Sequence, residues 1–181
     1  MEKKEILKKI ADLEYTFFSK LKMLNQECDR ERTFKFMRIA RFYPFSQETL
    51  EAYLNDLENA RLRGDNPLYK KYRCIEMGST WLDEDKRKLI EQILQIETNW
   101  IKELREKYPH VIRDSVNEFR RYLECELSTF SPITLERYLK DVSLAYQEGR
   151  NLGYESYLYT FSQLGYKSLE DVERKMREND K

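Results

Sequence analysis

Residues 45–72 have the sequence FSQETLEAYLNDLENARLRGDNPLYKKY, and residues 130–157 have the related sequence FSPITLERYLKDVSLAYQEGRNLGYESY. Aligned without a gap at a separation of 85 residues, the segments are identical at 13 of 28 positions. Self-similarity over this length indicates that the chain contains two copies of one structural unit. Because solenoids need three or more short repeats, we expect two large copies to pack face to face about a pseudo-twofold axis.

Each segment carries the signals of a capped helix followed by a second helix. Ser46 and Ser131 are expected to be N-caps, whose hydroxyls accept from free backbone N–H groups of the first turn. Gly64 and Gly149 are expected to end these helices in the left-handed conformation. Apolar and tyrosine side chains recur between these limits at helical spacing. They are Leu50, Tyr53, Leu54 and Leu57 in the first copy and Leu135, Tyr138, Leu139 and Val142 in the second.

The similarity continues upstream, where residues 6–21 align with 89–104 at a shift of 83. Both stretches place apolar residues on one helix face. The fold class is therefore predicted to be all-α, with two pseudo-symmetric multi-helix halves packed as one helical body plus a C-terminal helix. The predicted units are residues 1–80, 81–166 and 167–181. Predicted helices cover roughly 3–26, 33–42, 47–63, 67–77, 84–107, 116–127, 132–148, 152–163 and a stretch after Ser168.

The charge balance excludes a general nucleic-acid binder. The chain has 33 basic and 33 acidic side chains, whereas binding to phosphates relies on an excess of positive charge. The short basic cluster Lys70, Lys71 and Arg73 is expected to be a solvated helix face. Because no stretch approaches the roughly 20 apolar residues of a membrane span, we expect no membrane partner and a cytoplasmic location.

The three cysteines, Cys28, Cys74 and Cys125, are widely spaced and form no CxxC motif. We therefore expect a reduced chain without a disulfide framework or a zinc site. Cys74 and Cys125 are interpreted as packing residues on helix faces. With one histidine and no nucleotide-binding or metalloprotease motif, we expect neither a metal nor a cofactor.

Two glutamates and two arginines are the leading candidates for a site. Glu14 and Glu97 occupy aligned positions and could form a carboxylate pair across the axis; the alternative is that each is buried and paired with an arginine. Arg38 and Arg41 could grip a carboxylate or phosphate, or Arg38 could pair with Glu14. The binding candidates are Arg38, Arg41, Glu14, Glu97, Tyr53 and Tyr138.

The second half has Leu123 and Glu126 where the first has Arg38 and Arg41. Any site built on these arginines is therefore asymmetric. The leading hypothesis is a binding module whose pocket between the halves takes a small anionic ligand or a peptide.

Cys28 supports an alternative hypothesis, an enzyme. A thiol near a helix N-terminus and cations has a lowered pKa and becomes a nucleophile. Arg38 or Arg41 would then orient an anionic substrate, and His110 is a conceivable partner. An inert thiol is the simpler interpretation of Cys28. A homo-oligomeric scaffold is a third option, and the sequence leaves the oligomeric state open.

The motifs ECDRERTFKFMRIARF, FSQETLEAYLNDLENARLRGDN, KKY, ELSTFSPITLERYLKDV and GYKSLED together resemble a bacterial family known as domain of unknown function 4125. The likeness covers nearly the whole chain. It implies a bacterial cytoplasmic protein and draws attention to Cys28 and Arg38, which fall in the Cys and TF-x-x-MR positions of the family. It implies no particular activity.

Overall fold

The computed structural model describes residues 1–21, 30–78 and 81–181, and within these ranges it is helical and contains no strand. The prediction of an all-α fold is thereby confirmed. In chain order the helices are α1 (Lys3–Ser19), α2 (Arg30–Phe42), α3 (Gln47–Arg63), α4 (Pro67–Met77), α5 (Glu84–Lys107), α6 (Val116–Ser128), α7 (Pro132–Gln147), α8 (Leu152–Ser162) and α9 (Leu169–Asn179).

The end of α1 differs from the prediction, which extended this helix to about residue 26. The helix ends at Ser19, where the N–H of Lys20 bonds to the carbonyl of Phe17 and the N–H of Leu21 to that of Phe18. These tighter bonds typically close the last turn of a helix. The apolar spacing continues to Leu21, so periodicity alone overestimated the length. The remainder of the predicted helix lies outside the described residues.

The predicted helix signals operate as expected at both ends of α3 and α7. The hydroxyl oxygen of Ser46 accepts from the N–H of Thr49, and that of Ser131 accepts from the N–H of Thr134. Just past each helix, Gly64 and Gly149 have φ angles of 72° and 70°. This left-handed conformation is strained for residues with a Cβ, which explains glycine at both positions.

Two similar sets of helix contacts form the body of the protein. Helix α1 packs against α2, α3 and α4, and α5 packs against α6, α7 and α8. Three further contacts connect these sets: α3 with α7, α4 with α6, and α2 with α8. In the described part of the chain, no helix combines the length and the apolar character needed to cross a membrane.

Reciprocal hydrogen bonds join the N-termini of α3 and α7. Asp141 of α7 accepts from the backbone N–H of Ser46 at 2.9 Å, and Asp56 of α3 accepts from the backbone N–H of Ser131, also at 2.9 Å. Each aspartate therefore satisfies a donor at the cap of the opposite helix, where negative charge is favourable.

Aromatic contacts between α3 and α7 are reciprocal in the same way: the phenylalanine before each helix packs against a tyrosine of the other helix. The rings of Phe45 and Tyr138 lie 4.4 Å apart, and those of Tyr53 and Phe130 lie 4.5 Å apart. All four side chains are buried. Tyr53 and Tyr138 are thus fixed in the centre of the molecule by packing as well as by their hydroxyl groups.

Helix α9 covers a second, smaller core near the end of α5. Glu173 of α9 accepts from the backbone N–H groups of His110 and Val111 and lies 2.5 Å from the Nδ1 of His110. His110 therefore helps to anchor the C-terminal helix.

A disulfide joins Cys74 of α4 to Cys125 of α6. The expectation of a fully reduced chain was therefore wrong. The two cysteines are far apart in sequence, but α4 packs against α6 and brings their Cα atoms to 5.6 Å, a normal separation for this bond. Spacing along the chain carried no information about that contact.

Candidate functional site

A cavity of about 520 Å³ lies among α2, α4, α5, α6 and α8. Its size is typical of small-molecule sites. Most of the wall is apolar or aromatic, including Phe34, Met37, Phe45, Trp100, Leu104, Phe119, Leu152 and Phe161. The charged side chains in the wall are Arg38, Arg41, Lys71, Glu97 and Glu126.

The candidate arginines lie one turn apart on α2, and so project from one face of the helix. Arg38 forms a two-pronged ion pair with Glu14, with Nε 2.8 Å from Oε2 and Nη2 2.9 Å from Oε1. The hydroxyl of Tyr53 donates to the same carboxylate at 2.6 Å. The pairing of Glu14 with Arg38, considered above as the alternative to a ligand site, is thus present. Glu14 and Tyr53 lie behind Arg38 and not in the cavity wall.

Glu126 is at the centre of the charged network. Its carboxylate accepts a hydrogen bond from Nη2 of Arg38, lies 3.2 Å from Nε of Arg41, and lies 3.6 Å from Nζ of Lys71. Burial alone would raise the pKa of Glu126, but Arg38, Lys71 and Arg41 hold it well below its usual range. Glu126 is therefore ionised near neutral pH.

Lys71 contradicts the expectation of a solvated basic face, whereas Lys70 and Arg73 are exposed as expected. Its side chain is buried, and Nζ donates to the hydroxyl of Tyr122 at 2.9 Å. Burial and the charge of Arg38 act to lower the pKa of Lys71, but Glu126 together with Tyr122 and Tyr72 outweighs them, and the pKa is raised. Lys71 therefore places a charged ammonium group in the cavity wall.

Glu97 joins the network through a tyrosine. The hydroxyl of Tyr138 donates to Oε2 of Glu97 at 2.5 Å and accepts from Nη2 of Arg41 at 2.6 Å. Burial raises the pKa of Tyr138, so its hydroxyl retains the proton that it donates. Burial also raises the pKa of Glu97, although Arg41 and the bond from Tyr138 oppose the shift.

Each of the two glutamates at aligned positions accepts a hydrogen bond from a different tyrosine: Tyr53 donates to Glu14, and Tyr138 donates to Glu97.

In the part of the chain that the structure describes, no group of three His, Cys, Asp or Glu side chains is arranged to hold a metal ion. Cys28 lies outside the described residues, so the hypothesis of a nucleophilic thiol stays a prediction.

Of the binding candidates named from the sequence, Arg38, Arg41 and Glu97 line the cavity, whereas Glu14, Tyr53 and Tyr138 do not. Lys71 and Glu126 belong to the same charged network but were not among those candidates. Glu126 was noted only as the aligned partner of Arg41. That opposite-charge alignment was the available signal, because an arginine and a glutamate can form an ion pair, as Arg41 and Glu126 do. Lys71 carried no comparable signal, since basic residues on helices are usually exposed.

Many residues of the cavity wall are separated by the 85 positions of the sequence alignment. Six such pairs line the cavity: Phe34 and Phe119, Met37 and Tyr122, Arg38 and Leu123, Arg41 and Glu126, Lys71 and Ser156, and Tyr72 and Tyr157. Two pairs consist of identical aromatic residues, Phe34 with Phe119 and Tyr72 with Tyr157. In each of the three pairs that contain a charged residue, the two members differ in charge. The polarity of the wall is therefore asymmetric.

These features define a class of all-helical protein in which a buried charged network forms one wall of an otherwise apolar cavity. The chain belongs to the family described as Protein of unknown function (DUF4125), whose model matches residues 4–174, nearly the whole chain. The resemblance drawn from the sequence motifs is thereby confirmed. No curated protein and no solved structure matches the chain.

Proposed function

We propose that the cavity binds a small molecule with an apolar body and one acidic group, and that the acidic group docks on Lys71 and Arg41. The observation that carries this proposal is the presence of the buried Lys71 and the half-buried Arg41 in the wall of a cavity that is otherwise largely apolar. Recognition of this kind combines apolar burial with a few polar groups that fix orientation. The cavity volume favours a small molecule over a peptide.

Both cations have donors left for a ligand. Arg41 uses Nε for Glu126 and Nη2 for Tyr138, and its Nη1 makes no hydrogen bond with another residue that the structure describes. The ammonium group of Lys71 has three donors, of which one bonds to Tyr122. An anionic oxygen between these two groups would receive charge-assisted hydrogen bonds, which are about twice as strong as neutral ones.

The binding site is also the basis for a proposal about origin: we infer that the chain arose by duplication of one helical unit. The exchanged contacts of Asp56 and Asp141 with the opposite serine caps support this inference, as do the six wall pairs separated by 85 residues. Divergence at the charged positions would then have converted a symmetric contact into an asymmetric site. An experimental structure in which residues 47–63 and 132–148 have unrelated surroundings would refute it.

The intrinsic fluorescence of Trp100 provides a direct test of binding. The chain has two tryptophans: Trp100 lines the cavity, and Trp81 is 84% exposed. In the Trp81→Phe background, Trp100 is the remaining reporter. Octanoate and 4-phenylbutyrate are the probes, and the amide of each is the neutral control. We expect saturable fluorescence changes with the acids and at least about tenfold weaker binding of the amides.

Two threonines allow a matched test of whether the probes bind in this cavity. Thr160 lines the cavity and bonds to the carbonyl four residues earlier, whereas Thr16 makes the same bond on an exposed part of α1. We expect Thr160→Phe to abolish probe binding and Thr16→Phe to leave it intact, with helicity checked by circular dichroism. Absence of saturable binding by both acids, or unchanged binding in Thr160→Phe, would overturn the proposal.

The enzyme hypothesis built on Cys28 has an independent test. Alkylation rates measured across pH report the pKa of the thiol. A rate profile centred near the ordinary value of about 8.5 would argue against a nucleophilic role.

A further inference from the structure

We propose that the cavity takes up one proton, on Glu97, with each anion that it binds. This inference rests on the proposed function and specifies how a buried, charge-balanced site accommodates an added negative charge. Within the described residues, the network contains three cations and three carboxylates. They are Arg38, Arg41 and Lys71, and Glu14, Glu97 and Glu126.

With all six groups ionised, the network has no net charge, and a bound carboxylate would leave one buried negative charge without a partner. An unpaired buried charge is strongly disfavoured. One added proton restores neutrality, so the complex as a whole carries the same charge as the empty site. The proton comes from solvent, and no covalent bond other than the new O–H is formed.

The surroundings of the carboxylates identify the one that accepts the proton. Glu14 has a two-pronged bond to Arg38, and Glu126 faces three cations. Glu97 accepts instead from the neutral hydroxyl of Tyr138, and Arg41 lies beyond that hydroxyl. Protonation of Glu97 therefore breaks no direct ion pair.

The groups that face Glu97 from neighbouring helices are consistent with this assignment. Arg41 of α2 favours the ionised form, whereas Glu126 of α6 and burial favour the protonated form, and α7 contributes the hydroxyl of Tyr138. From α8, Tyr157 lines the same cavity, and burial raises its pKa, so it adds no charge near neutrality. A protonated Glu97 leaves the charge of Arg41 available to the ligand.

The test measures proton uptake directly. In the Trp81→Phe protein, octanoate is titrated between about pH 6 and 9, where this probe is ionised. Above the pKa of Glu97 in the empty site, we expect the Kd to rise toward tenfold per pH unit. Calorimetry in two buffers of different ionisation enthalpy should give uptake approaching one proton per octanoate over the same range.

Glu97→Gln separates this inference from the proposed function. The amide oxygen can still accept from Tyr138 but cannot titrate, so we expect Kd to be nearly independent of pH and proton uptake to approach zero. Glu136→Gln on the exposed face of α7 is the control, and it should keep the wild-type pH dependence. Binding by the wild type with a flat pH profile, or full uptake by Glu97→Gln, would overturn the inference but leave the binding proposal standing. Absence of octanoate binding at every pH would overturn both.

Discussion

Arg41 and Glu126 are separated by the 85 residues of the internal alignment, and their side chains form an ion pair with Nε 3.2 Å from Oε2. Two arginines at these positions would repel one another. The opposite charges make this contact between α2 and α6 attractive. The carboxylate of Glu126 also forms an ion pair with Arg38 and lies 3.6 Å from Nζ of Lys71.

Replacing Glu126 by Gln should therefore be severely destabilising. The substitution keeps the shape of the side chain but removes the anion that compensates three buried or partly buried cations. We expect the free energy of unfolding to fall by about 3–5 kcal/mol, the usual result of removing one partner of a buried pair. Urea denaturation measures this loss. Glu136→Gln, at an exposed position of α7, should change stability by no more than about 0.5 kcal/mol; equal losses in the two variants would contradict the central role of Glu126.

The two aspartates at the α3–α7 contact should differ in their contributions. Asp141 accepts from the backbone N–H and hydroxyl of Ser46 and from the hydroxyl of Thr49 at 2.7–2.9 Å. Asp56 accepts from the backbone N–H of Ser131 at 2.9 Å. Because each hydrogen bond to a charged group contributes about 1.5–3 kcal/mol, Asp141→Ala should destabilise the protein more than Asp56→Ala does. Thermal unfolding of the two variants under identical conditions measures the order, and the reverse order would refute this account.

Local signals in the sequence were sufficient to predict the helices and most of their limits. The caps at Ser46 and Ser131, the left-handed glycines and the helical spacing of apolar residues are properties of short segments, so they predict helix limits without knowledge of packing. The end of α1 is the exception, because its apolar spacing continues to Leu21 although the helix ends at Ser19.

Contacts between helices could be predicted only where a local feature suggested a partner. Glu14 and Arg38 were recognised as potential partners because each places a charge beside apolar residues of its helix. The contact of α4 with α6 had no such signal, so the burial of Lys71 and the Cys74–Cys125 disulfide were both missed. These features depend on which helices meet in space, and that is decided by the complete core.

Glu97 should make the stability of the empty protein depend on pH in a particular direction. Its pKa is raised in the folded state, chiefly by burial, so folding favours the protonated form. The stabilising effect is complete below the ordinary pKa of a glutamate, about 4.3, and is lost as pH rises through the folded-state pKa. The unfolding free energy of the wild type should therefore decline relative to that of Glu97→Gln as pH rises through this window. Denaturant titrations of both proteins at several pH values provide the comparison, and a constant difference would contradict the assigned shift.

The disulfide should stabilise the fold and also keep Lys71 of α4 in place against Tyr122 of α6 in the cavity wall. It closes a chain separation of 51 residues, for which loop entropy predicts a contribution of about 4 kcal/mol. Cys74 and Cys125 each lie three residues after a member of the Lys71–Tyr122 hydrogen bond, so the bond fixes the register of α4 and α6 at that contact.

We therefore expect reduction to lower the unfolding free energy by about this amount and to release two thiols per chain. Guanidinium denaturation and thiol titration of oxidised and reduced protein measure both effects. The double variant Cys74→Ala with Cys125→Ala is the control, and its stability should not respond to the reductant. If reduction leaves the unfolding free energy of the wild type unchanged, the α4–α6 contact is held by packing and by Lys71 without help from the covalent bond.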